Sequence, residues 1–190
     1  MKITLDTNCI IDLEQNRPAA VALRALIDAS RRSKVEIAVA AISASEKMPS
    51  GEYLTNFSEF EERIRHVGLT DARILEPIGI YGVAFYGHFI YPDDSMTKLL
   101  VDIHTTLFPS MTFDHDAYRL SRKLPPGNLD SHWRNAIWDD LALWCHIHYD
   151  RDVFLTSDGN FHKHSKKPRL VALGAKEILR PRELAQSIVT

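Results

Sequence analysis

Ile3-Thr4-Leu5-Asp6-Thr7-Asn8 and Val153-Phe154-Leu155-Thr156-Ser157-Asp158 are the two stretches of sequence that decide the fold. Each begins with an apolar run of the length of a short strand, and each run leads into an aspartate. Open α/β sheets bind their ligands at the carboxyl ends of parallel strands, where carboxylate oxygens are suitable donors for cations. Asp6 and Asp158 therefore predict a parallel sheet with a converging, metal-binding cluster of acids.

Strand and helix patterns alternate along the chain. Besides the runs at 3–5 and 153–156, alternating β-branched residues predict a strand over 35–40, and short apolar runs predict strands over 72–75 and 170–173. Apolar residues at helical spacing predict helices over 10–16, 19–32, 57–64, 95–107, 114–124, 131–148, 175–179 and 183–188. This alternation predicts an α/β fold, a three-layer α/β/α sandwich with a central, mainly parallel sheet.

The middle of the chain, from about 78 to 128, has a different pattern. Glycines and aromatic residues are concentrated at 79–91, and two of the helix patterns follow. We interpret this segment as a helical insertion that covers one side of a single domain spanning 1–190, because the length is close to that of one typical domain.

The composition is that of a globular protein, with 45% hydrophobic residues, 25% charged residues and a net charge of -2. No apolar run reaches the roughly 18–20 residues of a membrane span, and no signal-peptide pattern follows Met1. We therefore expect a cytoplasmic protein with no membrane partner. Cys9 and Cys145 are expected to be reduced thiols, and no Cys/His spacing fits a zinc site.

Four acids are candidates for the predicted cluster. Asp6 and Asp158 follow strands, Glu46 follows the strand at 35–40, and Asp140 lies on the long helix next to a rival acid, Asp139. Taken singly, these acids have ordinary alternatives as a helix cap, a first-turn acid, a surface acid or a turn former. Four clustered carboxylates repel one another, and Mg²⁺ or Mn²⁺ is the natural counter-ion because both prefer oxygen ligands.

The motifs around these acids resemble those of the PIN-domain family of metal-dependent nucleases. Residues 5–13, Leu-Asp-Thr-Asn-Cys-Ile-Ile-Asp-Leu, look like the N-terminal signature of that family, and Ser43-Ala44-Ser45-Glu46 matches its glutamate element. Asp140-Leu141-Ala142, followed 18 residues later by Asp158, is similar to its helix-then-strand arrangement. This spacing favours Asp140 over Asp139.

The resemblance covers about 1–50 and 130–175, and it implies a PIN-like fold and a ribonuclease that cleaves RNA phosphodiester bonds with metal-activated water. Its cofactor would be Mg²⁺ or Mn²⁺, and its partners would be RNA and, for a toxin of a toxin-antitoxin pair, an antitoxin protein and a second copy of the chain. The implied catalytic and metal-binding acids are Asp6, Glu46, Asp140 and Asp158, with Asn160 as a further ligand and Thr7, Asn8 and Ser157 as supports.

Two further sets of residues are candidates for contact with RNA. The basic run after Asp158 is either a solvated loop or a phosphate-binding segment, and its members are Lys163, Lys166, Lys167 and Arg169. Trp133, Trp138 and Trp144 lie on an apolar helix pattern, where packing in the core is favoured over stacking on bases.

Two other functions remain open. Many PIN domains have a second aspartate where this chain has the neutral Asn160, and the middle segment is long, which also fits a catalytically weak PIN-like module that binds RNA or a protein. A haloacid-dehalogenase-like phosphatase also begins with a strand-end aspartate. It is disfavoured because its second aspartate would be expected where Asn8 stands.

Overall fold

Five parallel strands form the central sheet of the protein. The computed structural model describes residues 1–32, 34–46, 51–127 and 129–189. The spatial order of the strands is β3-β2-β1-β4-β5, where the strands are β1 (Lys2–Leu5), β2 (Glu36–Ala40), β3 (Arg73–Leu75), β4 (Val153–Leu155) and β5 (Glu177–Leu179). Ile3 in β1 is aligned with Ile37 on one side and with Val153 on the other. The first strand and a late strand are therefore neighbours at the centre of the sheet.

Helices cover both faces of this sheet. They are α1 (Thr7–Glu14), α2 (Ala20–Arg31), α3 (Phe57–His66), α4 (Asp94–Leu107), α5 (His115–Ser121), α6 (Ser131–His148), α7 (Lys167–Leu170) and α8 (Pro181–Val189). α1, α2, α3 and α8 pack with Leu5, Val39 and Leu155 on one face, whereas α4, α5 and α6 pack with Ala38 and Phe154 on the other. Alternate strand residues thus enter opposite hydrophobic clusters, as expected for a sheet buried on both faces. The predicted three-layer α/β/α sandwich is confirmed.

The two helices predicted in the segment from about 78 to 128 are present as α4 and α5. Leu100, Ile103 and Leu107 of α4 are buried in the same hydrophobic cluster as the apolar face of α6. Before α4, Ile78 and Ile90 form an isolated parallel bridge. The segment therefore contributes to the core on one face of the sheet.

The chain after β4 differs from the sequence prediction in two places. Residues 170–173, predicted as a strand, lie at the end of α7 and in the irregular turn that follows it, and 175–179, predicted as a helix, contains β5. Pro168 lies in the first turn of α7, a position that proline favours. Gly174 then ends the helical geometry with a φ of 111°, a conformation that glycine adopts at little cost.

The long helix α6 begins with an aspartate cap. Ser131 is its first residue, and Asp130 caps it by accepting from the backbone N–H groups of His132 at 3.0 Å and Trp133 at 3.1 Å. The side chains of the three tryptophans of α6, Trp133, Trp138 and Trp144, are all buried. Their packing agrees with the core interpretation.

A buried arginine ties β1 to β2. Arg151 is 1% exposed and directly precedes the segment that enters β4. Its Nη2 donates to the backbone carbonyls of Ile3 and Glu36, both at 2.8 Å, and its Nη1 contacts the Glu36 carboxylate. Because a buried charge is costly without partners, these three bonds compensate the guanidinium while they link the two strands.

No helix in the described ranges is both long and apolar enough to cross a membrane. Cys9 and Cys145 are free and fully buried. The Cys9 thiol donates to the Leu155 carbonyl at 3.2 Å, so it packs α1 against β4 rather than facing solvent.

Candidate functional site

The carboxyl ends of β1 and β4 lie side by side at the centre of the sheet. The chain runs from β1 outward to β2 and β3, and then returns to β4 and β5, so the strand order reverses between β1 and β4. Ligands of open α/β sheets bind in the crevice at such a switch point. Asp6 directly follows β1, and Asp158 lies in the loop after β4. Both predicted acids therefore lie at this crevice.

Asp6 is buried and its carboxylate is held by uncharged donors. Its Oδ1 accepts from the Thr7 backbone N–H at 2.8 Å, and its Oδ2 accepts from Thr156 Oγ1 at 2.6 Å and from Asn8 Nδ2 at 3.1 Å. Burial raises the pKa of Asp6, the hydrogen bonds from Thr156 and Asn8 oppose that rise, and the charge of Asp158 adds to it. Asp6 is also the N-cap of α1, so the cap and the site acid are the same residue.

Glu46 reaches the crevice from a short 3₁₀ turn, Ala41–Ala44, which follows β2. Its Oε1 accepts from Thr7 Oγ1 at 2.5 Å, and the same hydroxyl lies 2.7 Å from Ser43 Oγ. Burial, followed by the charge of Asp6, raises the pKa of Glu46 to about 8, although the hydrogen bond from Thr7 lowers it. Thr7 therefore holds the carboxylate of Glu46 in place.

Asp158 is positioned by the loop that carries it. Its backbone N–H donates to Thr156 Oγ1 at 3.0 Å, and its Oδ1 accepts from the Asn160 backbone N–H at 2.8 Å. The Thr156 hydroxyl therefore links the two acids, because it also donates to Asp6.

The acid of α6 that faces the other three is Asp139, whereas the sequence analysis assigned Asp140. Burial raises the pKa of Asp139 well above its ordinary value, and the charges of Asp6, Glu46 and Asp158 raise it further. Successive residues of an α-helix point roughly 100° apart, so one of two neighbouring acids can face the crevice while the other faces the core. The charge interactions of Asp139, together with the pairing of Asp140 with His104, make Asp139 the candidate acid of α6 at this crevice.

Asp140 instead pairs with a buried histidine of α4. Its Oδ2 lies 2.6 Å from His104 Nδ1, and His104 Nε2 lies 3.1 Å from the Met111 carbonyl. Burial raises the pKa of Asp140 to about 6, and His104 opposes the rise by its hydrogen bond and charge. Both side chains are at most 1% exposed, so the pair holds α4 against α6 inside the core.

We call Asp6, Glu46, Asp139 and Asp158 the acidic cluster. Its members come from four places in the chain: the end of β1, the turn after β2, the middle of α6 and the loop after β4. The hydrogen-bond donors to Asp6 and Glu46 are hydroxyls, an amide and a backbone N–H, none of which carries positive charge. In addition to burial, the charges of neighbouring acids therefore raise the pKa values of Asp6, Glu46 and Asp139, and a bound cation would relieve this repulsion.

The chemistry of the acidic cluster fits a hard divalent cation. Carboxylate oxygens are the ligands that Mg²⁺ and Mn²⁺ prefer, and two of these carboxylates are already oriented by Thr7 and Asn8. Across 1–32, 34–46, 51–127 and 129–189, no three His, Cys, Asp or Glu side chains form a ready-made metal cage. The residues that would hold the ion are Asp6, Glu46, Asp139 and Asp158.

Asn160 and Lys166 contact each other beside Asp158. Asn160 Oδ1, the predicted extra ligand atom, accepts from Lys166 Nζ at 2.5 Å, and the same ammonium donates to the Leu107 carbonyl. Burial lowers the pKa of Lys166, as does the charge of Lys163, whereas Asp158 raises it. The Lys166 ammonium group is therefore already bonded to Asn160 Oδ1, the atom that was predicted to bind a metal ion.

The remaining predicted site residues lie around the cluster rather than in it. Ser157 Oγ donates to Asp12 Oδ2 at 2.7 Å, so it supports an acid that the sequence analysis left without a role. Asp12 is buried and lies six residues after Asp6 on α1, inside the N-terminal signature, which is the signal that could have identified it. The other basic residues after Asp158 are either exposed or partly buried, namely Lys163, Lys167 and Arg169.

A scan against protein-family models found no matching family, and comparisons with curated proteins and with solved structures also gave no match.

Proposed function

We propose that this protein is a Mg²⁺- or Mn²⁺-dependent ribonuclease of PIN-domain type, which hydrolyses phosphodiester bonds of RNA. The observation that carries the proposal is the convergence of Asp6, Glu46 and Asp158 at the switch point of a parallel sheet. Thr7 is bonded to both Asp6 and Glu46, and Thr156 is bonded to Asp6 and to the backbone of Asp158. The repulsion between these acids destabilises the metal-free protein, and a bound divalent cation would compensate it. Acids kept together in spite of this repulsion are therefore typical of a site that uses such a cation. The motifs that resemble PIN domains lie at three of the four acids of the acidic cluster.

The chain's own residues orient the acids before any ion binds. Thr7 holds Glu46, while Thr156 and Asn8 hold Asp6, so two carboxylates have fixed directions. A divalent cation bound by the acidic cluster would supply charge for the RNA phosphate and activate a water molecule for attack. We assign no protein nucleophile. The hydrogen bond between Lys166 and Asn160 favours a single strong cation position over two equivalent ones.

The setting that the resemblance predicts is a toxin-antitoxin pair, in which the partners would be an antitoxin protein and a second copy of the chain. A small antitoxin-like reading frame beside the gene is the expected finding. The other proposed function, a module that binds RNA with little catalysis, is favoured by the ammonium at Asn160. Calorimetry with Mn²⁺ separates it from the nuclease, because it predicts RNA affinity without cation binding below millimolar concentration.

Asp139 and Asp140 provide the sharpest test, because they are adjacent residues of the same type whose side chains have different surroundings. Asp139→Asn should abolish Mn²⁺-stimulated cleavage of single-stranded RNA and the stabilisation that Mn²⁺ gives to the folded protein. Asp140→Asn should retain both responses, since Asp140 faces His104 rather than the acidic cluster. Cleavage assays and thermal unfolding with and without Mn²⁺ measure the two effects on the same samples.

Asp6→Asn and Asp158→Asn should behave like Asp139→Asn in the cleavage assay. Circular dichroism of each variant shows whether the fold is retained, which matters most for Asp6 because it also caps α1. Full RNA cleavage by a folded Asp139→Asn protein would contradict the assignment of this acid. Full cleavage by folded Asp6→Asn and Asp158→Asn proteins as well would overturn the proposed function.

A further inference from the structure

A second concave surface lies beside the acidic cluster and has a different chemistry. It is a cleft of about 420 Å³, which we call the aromatic cleft, and the lining residues that matter here are Ser45, Tyr53, Phe85, Tyr86, Arg134 and Trp138. Its volume falls within the range of roughly 300–1,000 Å³ that is usual for sites of small organic groups. These residues are contributed by three parts of the chain that are far apart in sequence.

Three buried polar atoms of residues lining this cleft lack a hydrogen-bond partner within the described ranges. They are the Ser45 hydroxyl oxygen, Arg134 Nε and the indole Nε1 of Trp138. The Trp138 side chain is 4% exposed, so its N–H group gains little from solvent. Buried polar atoms without partners destabilise the folded protein, and the presence of three of them at one cleft indicates that a ligand completes their hydrogen bonds.

Aromatic rings and a guanidinium group provide flat surfaces in the same cleft. The Arg134 guanidinium carbon lies 4.9 Å from the ring centres of both Tyr53 and Trp138, and Arg134 also donates to the Tyr53 hydroxyl. The rings of Tyr53 and Tyr86 are 41% and 90% exposed. Aromatic rings and arginine planes are the surfaces on which proteins stack unpaired nucleobases.

The aromatic cleft is joined to the acidic cluster through the backbone. Ser45 directly precedes Glu46, and Trp138 directly precedes Asp139, so two of the three unpartnered groups belong to neighbours of cluster acids. Consecutive Cα atoms are about 3.8 Å apart, which is less than the length of one nucleotide in a single strand. A base in the cleft would therefore keep its own backbone phosphates close to the acids.

We propose that the aromatic cleft is a nucleobase subsite, which holds one unpaired base of a single-stranded RNA while a phosphate next to it lies at the acidic cluster. This inference rests on the proposed nuclease function and extends it to substrate selection. The free groups include two N–H donors, Arg134 Nε and Trp138 Nε1, so the base must present acceptor atoms. Guanine presents two adjacent acceptors, O6 and N7, which arginine commonly recognises.

Binding of short labelled RNA in EDTA, followed by fluorescence anisotropy, tests the subsite without cleavage. Tyr53→Ala and Arg134→Ala should each weaken binding of single-stranded RNA about tenfold, because stacking on a base contributes that much in similar sites. Trp138→Phe keeps a buried ring and removes the N–H donor, so it should give a smaller loss. Tyr91→Ala is the matched control, since Tyr91 is 88% exposed and lies outside the cleft.

Fully paired RNA and the response to Mn²⁺ separate this proposal from the nuclease proposal. The cleft variants should bind duplex RNA as the wild type does, because its bases are not available for stacking, and Mn²⁺ should still raise their unfolding temperature. Equal affinity of the wild type, Tyr53→Ala and Arg134→Ala for single-stranded RNA would overturn the subsite and leave the nuclease proposal intact. A wild type that does not bind single-stranded RNA would also overturn the subsite.

The opposite combination is equally informative. The cleft variants could lose affinity for single-stranded RNA while the wild type neither cleaves RNA nor is stabilised by Mn²⁺. That result would support the subsite and overturn the nuclease proposal.

Discussion

Replacement of Glu46 by glutamine should stabilise the metal-free protein at pH 8. Burial and the charge of Asp6 raise the pKa of Glu46 from 4.5 to about 8. Between these two pH values the folded protein binds a proton that the unfolded chain has lost, so the free energy of unfolding falls as the pH rises through this window. Glutamine carries no charge at any pH and can still accept from Thr7, so the variant avoids that loss.

The size of the effect follows from the shift of the pKa. At ~1.36 kcal/mol per pKa unit, a change from 4.5 to about 8 corresponds to roughly 5 kcal/mol. Glu46 is only partly buried, and solvent screening reduces the expected gain to about 2 kcal/mol. For a chain of this length, 1 kcal/mol changes the unfolding temperature by about 2–4 °C, so Glu46→Gln should raise it by roughly 4–8 °C.

Thermal unfolding in EDTA at pH 8 and at pH 4.5 measures this prediction. The gain should be largest at pH 8 and small at pH 4.5, where the carboxyl group is largely protonated in the folded protein. The pKa of His146 is lowered to about 4 by burial, which gives the opposite pH dependence, but His146 is present in both proteins and cancels in the difference. Glu61→Gln, an exposed change on α3, is the matched control and should leave the unfolding temperature unchanged at both pH values.

The same unfolding experiment repeated with Mn²⁺ tests whether Glu46 binds the ion. Because an ion that binds only the folded state stabilises it, Mn²⁺ should raise the unfolding temperature of the wild type more than that of Glu46→Gln. A variant that is less stable than the wild type in EDTA at pH 8 would refute the electrostatic account of the acidic cluster. An equal response of both proteins to Mn²⁺ would refute the role of Glu46 as a ligand.

Two other changes test the framework that holds the site. Arg151→Ala should lower the free energy of unfolding by about 3 kcal/mol, because it removes the donors to the Ile3 and Glu36 carbonyls, and chemical denaturation should show a matching fall in the midpoint. Gly174→Ala should cost about 1–3 kcal/mol, since φ is 111° and the new Cβ would lie 3.1 Å from Ile147 Cγ2. Wild-type stability of either variant would show that these contacts contribute little.

The positions of Asp6 and Asp158 were predictable because each acid closely follows a short apolar run that forms a strand. A run such as Ile3-Thr4-Leu5 must form a strand to bury its side chains, and the residue after it then lies at the carboxyl end whatever the rest of the chain does. The same logic placed Glu46 after β2. Local pattern is therefore sufficient for three of the four members of the acidic cluster.

The choice between Asp139 and Asp140 required the orientation of a helix. Spacing along the sequence favoured Asp140, but Asp140 lies three residues after Ile137 and four before Trp144, which are both fully buried. That periodicity places Asp140 on the apolar stripe of α6, and its burial is tolerated because α4 presents His104. The partner is distant in sequence, so the pattern of α6 alone gave no reason to expect a buried carboxyl.

The wrong predictions for 170–173 and 175–179 also arose because the structure there depends on residues that are distant in sequence. Short apolar runs fit either a strand or a buried helix, and the outcome depends on neighbours in space. Ile178 is in β5 because that segment completes the sheet beside β4, whereas Leu170 is buried at the end of α7. The aromatic cleft was also beyond sequence reasoning, because Tyr53 and Arg134 are brought together only by the complete fold.

The pairing of β1 with β4 has a consequence for the time at which the site forms during synthesis. Ile3 is aligned with Val153, so the centre of the sheet joins parts of the chain that leave the ribosome 150 residues apart. Closing so long a loop costs entropy that only late contacts repay, which makes this pairing a late event in folding. A growing chain therefore carries Asp6 and Glu46 long before it can place Asp158 beside them. An RNA-cleaving protein with this topology would therefore remain inactive at least until β4 and the loop that carries Asp158 have been synthesised.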